Sequence, residues 1–525
     1  MGATLLTVQV LRVSWVAAGS LAAGAIALLL LFPPWSADHL SAGLFRIRTP
    51  KPFSYDGPRK FFDALQRAKV IFHRDDPTST IVVKESQRGP GEVSRAIVTN
   101  GKPDGDLVGD YPTMAMLALL PALLAEKFER AFVIGYGTGV ATGELAALEE
   151  SREVTVAEIS SGVLEAAPLF DHANQNASKN PKVHIVRSDA YRALLRSEGP
   201  FDVIVSEPSN PWVTGVEMLY SEEFLRAGRD RLAPGGVYAQ WFHSYEIDKQ
   251  TLELVLRTYR AVFDHVAVWY TTGPDLLLLG FRSPEHALDV ERIRARFAQP
   301  DFQRGFARAG ITSVEALLAH EVLPLDVLQA AELPGPIHTL RHPLLSDLAA
   351  RAFFVGKPVE MPRFASAACA AIGARNSLLR RQSGLADGPV PEVLLITLAH
   401  ETCRKVRPIE CTTILARGLA DHPDRDLRSV AIAGSAPHLD EIASDENVHQ
   451  LAELYADGRR SQRGEGDPVT EATRLTESFA RFYVHALPFD RSLLAQAWAR
   501  CTRPDQVEPC RAGRQRAREL IGPSS

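Results

Sequence analysis

The residues best placed to do chemistry sit at the ends of apolar runs. Gly135-Tyr136-Gly137-Thr138-Gly139 joins a strand-like run to a helical one, and glycines there let the backbone turn tightly and approach a ligand closely. Glu158 closes the next apolar run, 23 residues beyond Gly135, where a carboxylate can accept both hydroxyls of a ribose. Asp189 closes the third run, where a carboxylate can accept from an adenine amino group. Three such features in succession point to an adenosine-containing ligand. A nicotinamide dinucleotide is the competitor. It is disfavoured because the third glycine of G-x-G-x-x-G would fall on Val140, and no second mononucleotide-binding half is evident.

The fourth run ends in Ser206-Glu207-Pro208-Ser209-Asn210-Pro211-Trp212, two prolines stiffening a polar loop where substrate should meet the nucleoside. A carboxylate at Glu207 can orient an amine or take its proton; the plainer alternative is an acid that braces the loop. Trp212 reads equally as a pocket wall or a core aromatic. Tyr245, and less strongly His243, lie just past the fifth run within reach of the same place. His338 and His342 have helical metal-ligand spacing, but Pro336 and Pro343 bracket them and no third ligand accompanies them, so no metal is expected.

The elements that must position these residues alternate. From Ala131 to about Phe281, AFVIGYG, VTVAEIS, VHIVRSDA, FDVIVSEP and GGVYAQWF are strand-like and separated by helical patterns, with HVAVWYTT and DLLLLGF as a closing pair. This predicts an α/β fold, a Rossmann-like doubly wound sheet with ligands at the carboxyl ends of its strands. Ahead of it KVIFH (69–73), STIVVKE (79–85) and SRAIVT (94–99) predict a small antiparallel β unit, and residues 113–128 a helix. After about 285 only helical patterns remain, among them 290–298, 313–323, 393–406 and 493–501.

Composition sets the outer bounds. With 525 residues, 46% hydrophobic, 23% charged and a formal net charge of −5, two or three globular domains are expected and a nucleic-acid partner is not. The average conceals an uncharged run from Val13 to Phe32, followed by Pro33, Pro34 and Trp35. It reads as one N-terminal transmembrane helix rather than a cleaved signal. Arg46, Arg48 and Lys51 after it, against Arg12 before it, would put the large C-terminal part in the cytoplasm as a single-pass membrane protein. The five cysteines, an odd count with no C-x-x-C, favour buried free thiols, although Cys403/Cys411 and Cys501/Cys510 have spacings that could staple helix connections. The expected organisation is an anchor at 1–36, a linker at 37–68, the small β unit at 69–110, the Rossmann-like domain at 111–285, a helical closing segment at 286–360 and a C-terminal helical domain at 361–525.

Several motifs add a resemblance. NGKPDGD (100–106), GDYPTM (109–114), LLPALL (119–124), VIGYGTG (133–139), VAEIS (156–160), SDAYRAL (188–194) and SEPSNPW (206–212) resemble the spermidine synthase, or polyamine aminopropyltransferase, family. They are especially similar to a membrane-linked branch of it. The resemblance runs from about residue 69 to 281, with 337–356 similar to the segment closing that branch's domain. It implies that Gly135, Gly137 and Gly139 form the cofactor loop, Glu158 holds the ribose, and Asp189 with Ala190 holds adenine. It also implies that Glu207 prepares the attacking amine, helped by Asp110 or Tyr111, with Tyr245 nearby and Asn210 and Trp212 lining the acceptor side.

Parts of the family pattern are missing. Asn210 replaces the second acid of the family's D-S-S-D-P, Thr138 replaces the acid that would hold the aminopropyl ammonium, and Thr113–Pro121 replaces Y-x-E-M-L-x-H-x-P. The nucleoside half is therefore expected to survive better than the cationic half, because two cations need fixed carboxylates to leave water. The first expectation is aminopropyl transfer from decarboxylated S-adenosylmethionine to a small-molecule amine acceptor. Methyl transfer from S-adenosylmethionine, and a non-catalytic membrane-anchored nucleoside-binding scaffold, remain the alternatives. A homodimer is compatible with the reading.

Overall fold

The computed structural model describes residues 15–31, 36–65, 68–89, 92–271, 275–283, 288–318 and 320–356, and separate stretches beyond them, chiefly 366–378, 466–482 and 507–521. Two sheets carry the fold. Strands β1 (Lys69–Asp75), β2 (Thr80–Gly89), β3 (Glu92–Thr99) and β4 (Lys102–Asp106) form an antiparallel meander. The turn into β4 is Asn100-Gly101, both with positive φ (51° and 82°), the backbone that a tight hairpin requires and that these two residue types adopt most readily.

The second sheet has eight strands: β5 (Arg130–Ile134), β6 (Glu153–Glu158), β7 (Val183–Arg187), β8 (Phe201–Ser206), β9 (Leu232–His243), β10 (His265–Tyr270), β11 (Asp275–Phe281) and β12 (Glu321–Leu323). Their order is β12-β10-β11-β9-β8-β5-β6-β7. Pairings from β7 through β9 are parallel and those among β9, β11, β10 and β12 antiparallel. Strand β5 has β6 on one side and β8 on the other, so the chain changes winding direction there. Such a switch point opens a crevice beyond the strand ends, and the ends in question are Gly135 and Glu207.

Helix α1 (Trp15–Leu31) corrects the membrane expectation. It has 17 residues, about 25 Å at 1.5 Å per residue against roughly 30 Å of hydrocarbon. Among the described residues no helix is long and apolar enough to cross a membrane. The expected transmembrane helix is therefore not found.

Helix α2 (Tyr111–Leu124) is apolar all round and buried along nearly its whole length, packing on β9 and on α3 (Val140–Ala147), the helix that follows the glycine loop. The 37–68 segment, expected as a linker, holds short helical turns and packs on the body: Lys84 donates to the Ser41 carbonyl at 2.9 Å, and Gly43 lies against Gly101.

Two further expectations change. Residues 313–323 were expected as one helix, but only Val314–Leu318 is helical; Glu321–Leu323 adds β12 beside β10. Three residues carry too weak a period to announce a strand, and pairing with a sheet edge decides the matter. Cys501 and Cys510 are joined by a disulfide with Cα atoms 5.8 Å apart, contrary to the expected free thiols, whereas Cys369 is free and buried. Cys403, Cys411 and the helix expected at 393–406 lie outside the described residues, apart from Leu395.

The α3 packing is tight enough to test. A Cβ on Gly143 would fall 1.8 Å from the Asn174 carbonyl oxygen, a backbone atom that cannot swing away. Gly143→Ala is expected to cost about 1–3 kcal/mol, read as a lower denaturation midpoint; an unchanged midpoint would contradict this close approach.

Candidate active site

The glycine-loop end is built by backbone first. Gly135, Gly137 and Gly139 all have left-handed φ (86°, 53° and 75°), and a Cβ at Gly139 would meet the Asn174 amide and the Tyr136 hydroxyl. Asn174 Nδ2 donates to the Thr138 carbonyl at 2.9 Å and braces the loop from outside it. Glu158 is almost fully buried and accepts from the Tyr136 N–H at 2.8 Å and the Ser160 N–H at 2.7 Å. Burial pushes its carboxyl up, and those two N–H donors pull it partly back. Each Glu158 oxygen keeps lone-pair capacity for a diol.

Asp76, on the turn between β1 and β2, accepts from the Ser160 hydroxyl at 2.5 Å and the Gly162 N–H at 3.0 Å, tying the small sheet to the Glu158 strand end. Burial pushes Asp76 up, but bonds from Ser160, Thr78 and Gly162 outweigh it and hold the carboxyl well below its ordinary range. Asp189 caps helix α4 (Ala190–Arg196), accepting from the Arg192 N–H at 3.0 Å, so part of its capacity goes to the fold.

The opposite end, around Glu207, gathers acids from four elements. Glu207, next to Ser206 at the end of β8, donates its own N–H to the Ile134 carbonyl at 3.2 Å, which sets it beside the glycine loop. Its carboxyl is pushed up to about 8 by burial and by the negative charges of Asp110, Asp104 and Asp275. Asp275, at the start of β11, is pushed up to about 7, chiefly by burial, although Thr113 donates to it at 3.1 Å. Asp110 precedes α2 and accepts from the Asp106 N–H at 2.9 Å. Asp104 on β4 accepts from Ser209 Oγ at 2.8 Å and from Lys102 Nζ at 2.5 Å.

Neutral polar groups complete this end. Asn210 is fully buried, and neither amide atom has a hydrogen-bond partner among the described residues. The Tyr245 hydroxyl, raised by burial, is lowered in part by Asn210. His243 is also fully buried with neither ring nitrogen partnered. It stacks on Trp241 and is pushed down to about 3 by burial and by the charges of Lys102 and Arg46.

The expected residues are not all in one place. Glu207, Asp110, Asn210 and Tyr245 come together, and the glycine loop with Glu158 lies alongside. Tyr111 instead donates to Glu144 of α3 at 2.5 Å, and Arg308 on α5 (Pro300–Arg308) clamps the same carboxylate through two bonds of 2.8 and 2.6 Å. Tyr111 is therefore a strut between α2, α3 and the closing segment.

Trp212 lies 4.2 Å from the ring of Phe353 on α6 (Leu344–Val355), with Phe45 of the N-terminal segment edge-on at 5.9 Å. Beside it Glu246 takes Arg46 at 3.4 Å and Arg48 at 2.6 Å. Thr138, where the family acid is missing, donates to the Met114 sulfur at 3.1 Å and closes that corner. His338 uses both ring nitrogens on backbone groups, those of Glu217 and Leu345, while His342 is exposed.

Lys102, Asp104, Asp275, Glu246, Phe45 and Phe353 were not foreseen as site residues. Asp104 had a signal, an acid inside the NGKPDGD motif, and Asp275 had another, a lone acid opening an apolar run.

Comparison with known proteins gives the geometry its context. Residues 112–283 match the family described as the spermine/spermidine synthase domain. The spermidine synthase of Dictyostelium discoideum is 23% identical over 211 residues, which is 40% of this chain and 72% of that one. The polyamine aminopropyltransferase of Thermococcus onnurineus is 27% identical over 35% of this chain and 64% of its own length. Polyamine aminopropyltransferase 1 of Pseudomonas aeruginosa is 32% identical over 23% and 43%. The match thus spans less than two thirds of several curated relatives. The crystal structure of the spermidine synthase from Thermotoga maritima aligns with 20% identity and a TM-score of 0.36, covering 46% of this chain and 88% of that one. Residues 112–283 are thus similar to the spermine/spermidine synthase domain, a match over about a third of the chain.

Proposed function

We propose that this protein transfers the aminopropyl group of decarboxylated S-adenosylmethionine to a small primary amine. The observation that carries the reading is the placement of Glu207. A buried carboxyl with a raised pKa, ringed by Asp104, Asp110 and Asp275, sits one hydrogen bond from the strand that feeds the glycine loop. Relatives named spermidine synthase and polyamine aminopropyltransferase support the same reaction class.

In this reading Glu158 holds the ribose hydroxyls, Asp189 and Ala190 face the adenine edge, and the left-handed glycines let the backbone lie close to the nucleoside. Glu207 takes a proton from the amine as its lone pair attacks the methylene next to the sulfonium. The new C–N bond forms as the C–S bond breaks, the bonding pair returns to sulfur, and methylthioadenosine leaves. No metal is needed for that balance. The acids attract and align the amine, so that most of the rate comes from positioning and from stabilising charge. Tyr245 and Asn210 bound the acceptor side, and Trp212 under Phe353 and Phe45 shields it from water.

Incubation with decarboxylated S-adenosylmethionine and an amine panel is expected to release methylthioadenosine. Glu207→Gln should lower kcat by about 10²–10⁴-fold with the fold intact. Absence of methylthioadenosine with every amine, or a Glu207→Gln variant as active as wild type, would overturn the proposal.

The pH profile gives a second check. Glu207 is protonated below about 8 and Asp275 below about 7, and a protonated Glu207 cannot accept the amine proton. The two groups interact, so the profile reads the pair rather than either residue alone. kcat/KM for the amine should therefore rise as pH climbs from 6 to 9, with an inflection in the 7–8 range that Glu207→Gln removes. Persistence of that inflection in the variant would assign it elsewhere.

A further inference from the structure

The acceptor site already contains cations of its own. Lys102 is only 6% exposed, and its ammonium lies 2.5 Å from Asp104, which is tied through Ser209 to the loop carrying Glu207. A buried ammonium persists only beside a fixed carboxylate, and here that carboxylate is one of the three acids around Glu207. The other nearby acid, Glu246, follows Tyr245 in the chain and is engaged by Arg46 and Arg48. The field of these cations reaches the pocket: Lys102 lowers Asp275, and Lys102 and Arg46 together help keep the buried His243 neutral.

What the pocket offers beyond Glu207, Asp110 and Asp275 is uncharged. The His243 nitrogens are buried and unpartnered among the described residues, and the buried Asn210 amide lies beside the Tyr245 hydroxyl, a capacity that a neutral polar group could use. Trp241 is stacked on His243, Tyr245 meets it edge-on, and Trp212 adds apolar surface nearby. A diamine needs a second carboxylate for its far ammonium. The acids that could serve are already engaged within the chain, Asp104 by Lys102, Glu246 by Arg46 and Arg48, and Asp275 by the Thr113 hydroxyl.

Resting on the transferase reading above, we infer that Lys102, backed by Arg46, stands in for the far ammonium of a diamine, so that the acceptor is a primary monoamine with an uncharged remainder. A second ammonium entering there would be repelled by the resident one, and the acids beside it are already held by partners in the chain. The reacting amine keeps its own acids, Glu207 and Asp110. The inference thus concerns which amine enters, not how its nitrogen reacts.

The test compares n-butylamine with 1,4-diaminobutane, equal in length and different by one ammonium. Methylthioadenosine release and calorimetric binding in the presence of methylthioadenosine are measured for wild type, Lys102→Met and Lys102→Gln. Wild type is expected to favour butylamine by about tenfold or more in both kcat/KM and Kd, and each variant to shift the ratio towards the diamine by about tenfold. Wild-type preference for the diamine, ratios unchanged in a folded variant, or no binding of either amine would overturn the inference. The wild-type ratio decides even if both variants fail to fold. Binding with the expected ratio but without methylthioadenosine release would leave the inference standing and sink the transferase reading.

Discussion

Everything at the site depends on keeping four carboxyl groups close together away from water. Like charges in a low-dielectric pocket repel strongly, and the structure answers in three ways. It pairs Asp104 with Lys102, gives Asp275 and Asp110 hydrogen-bond donors, and leaves Glu207 with its proton near neutral pH. Under the proposed reaction Glu207 acts as a base only once it has ionised, which the positive charge of a bound ammonium would favour. The cost of burying the acids is what a bound cation would offset.

That cost also explains why so many separate elements meet there. The hairpin ending in β4 brings Lys102 and Asp104, the start of α2 brings Asp110, β8 leads to Glu207, and β11 opens with Asp275. The N-terminal segment closes the far side through Phe45, Arg46 and Arg48, meeting Trp212, Phe353 and Glu246. Tyr111, Glu144 and Arg308 hold α2 against the glycine-loop helix and the closing segment, so the two halves of the site share one brace. The nucleoside half relies on N–H donors and left-handed glycines instead, groups whose geometry belongs to the local chain.

This difference in construction accounts for what could be read in advance. The alternating apolar runs from Ala131 to Phe281 announce the sheet because parallel strands buried on both faces must be apolar throughout. Gly135, Glu158 and Glu207 are legible because each stands at a fixed offset from the end of such a strand. Tyr111, expected beside Asp110 as a helper of Glu207, instead sends its hydroxyl to Glu144, because a helix turns adjacent side chains about 100° apart. The apolar run at 13–32 seemed long enough to span a bilayer, yet its described helix stops at 17 residues.

Sequence alone determined the Rossmann-like sheet and put the glycine loop and Glu158 at its strand ends, though not the N-terminal helix, because sheet and loop depend on periodicity and short spacings that neighbouring residues enforce on one another. It could not settle the charge balance of the acceptor pocket. Asp104 and Asp275 are 171 residues apart, and Arg46 and Glu246 are 200 apart. No local pattern records that such pairs share one field. Folding brings them together, and the order of strands in the sheet determines which acids keep a free charge and which are already paired.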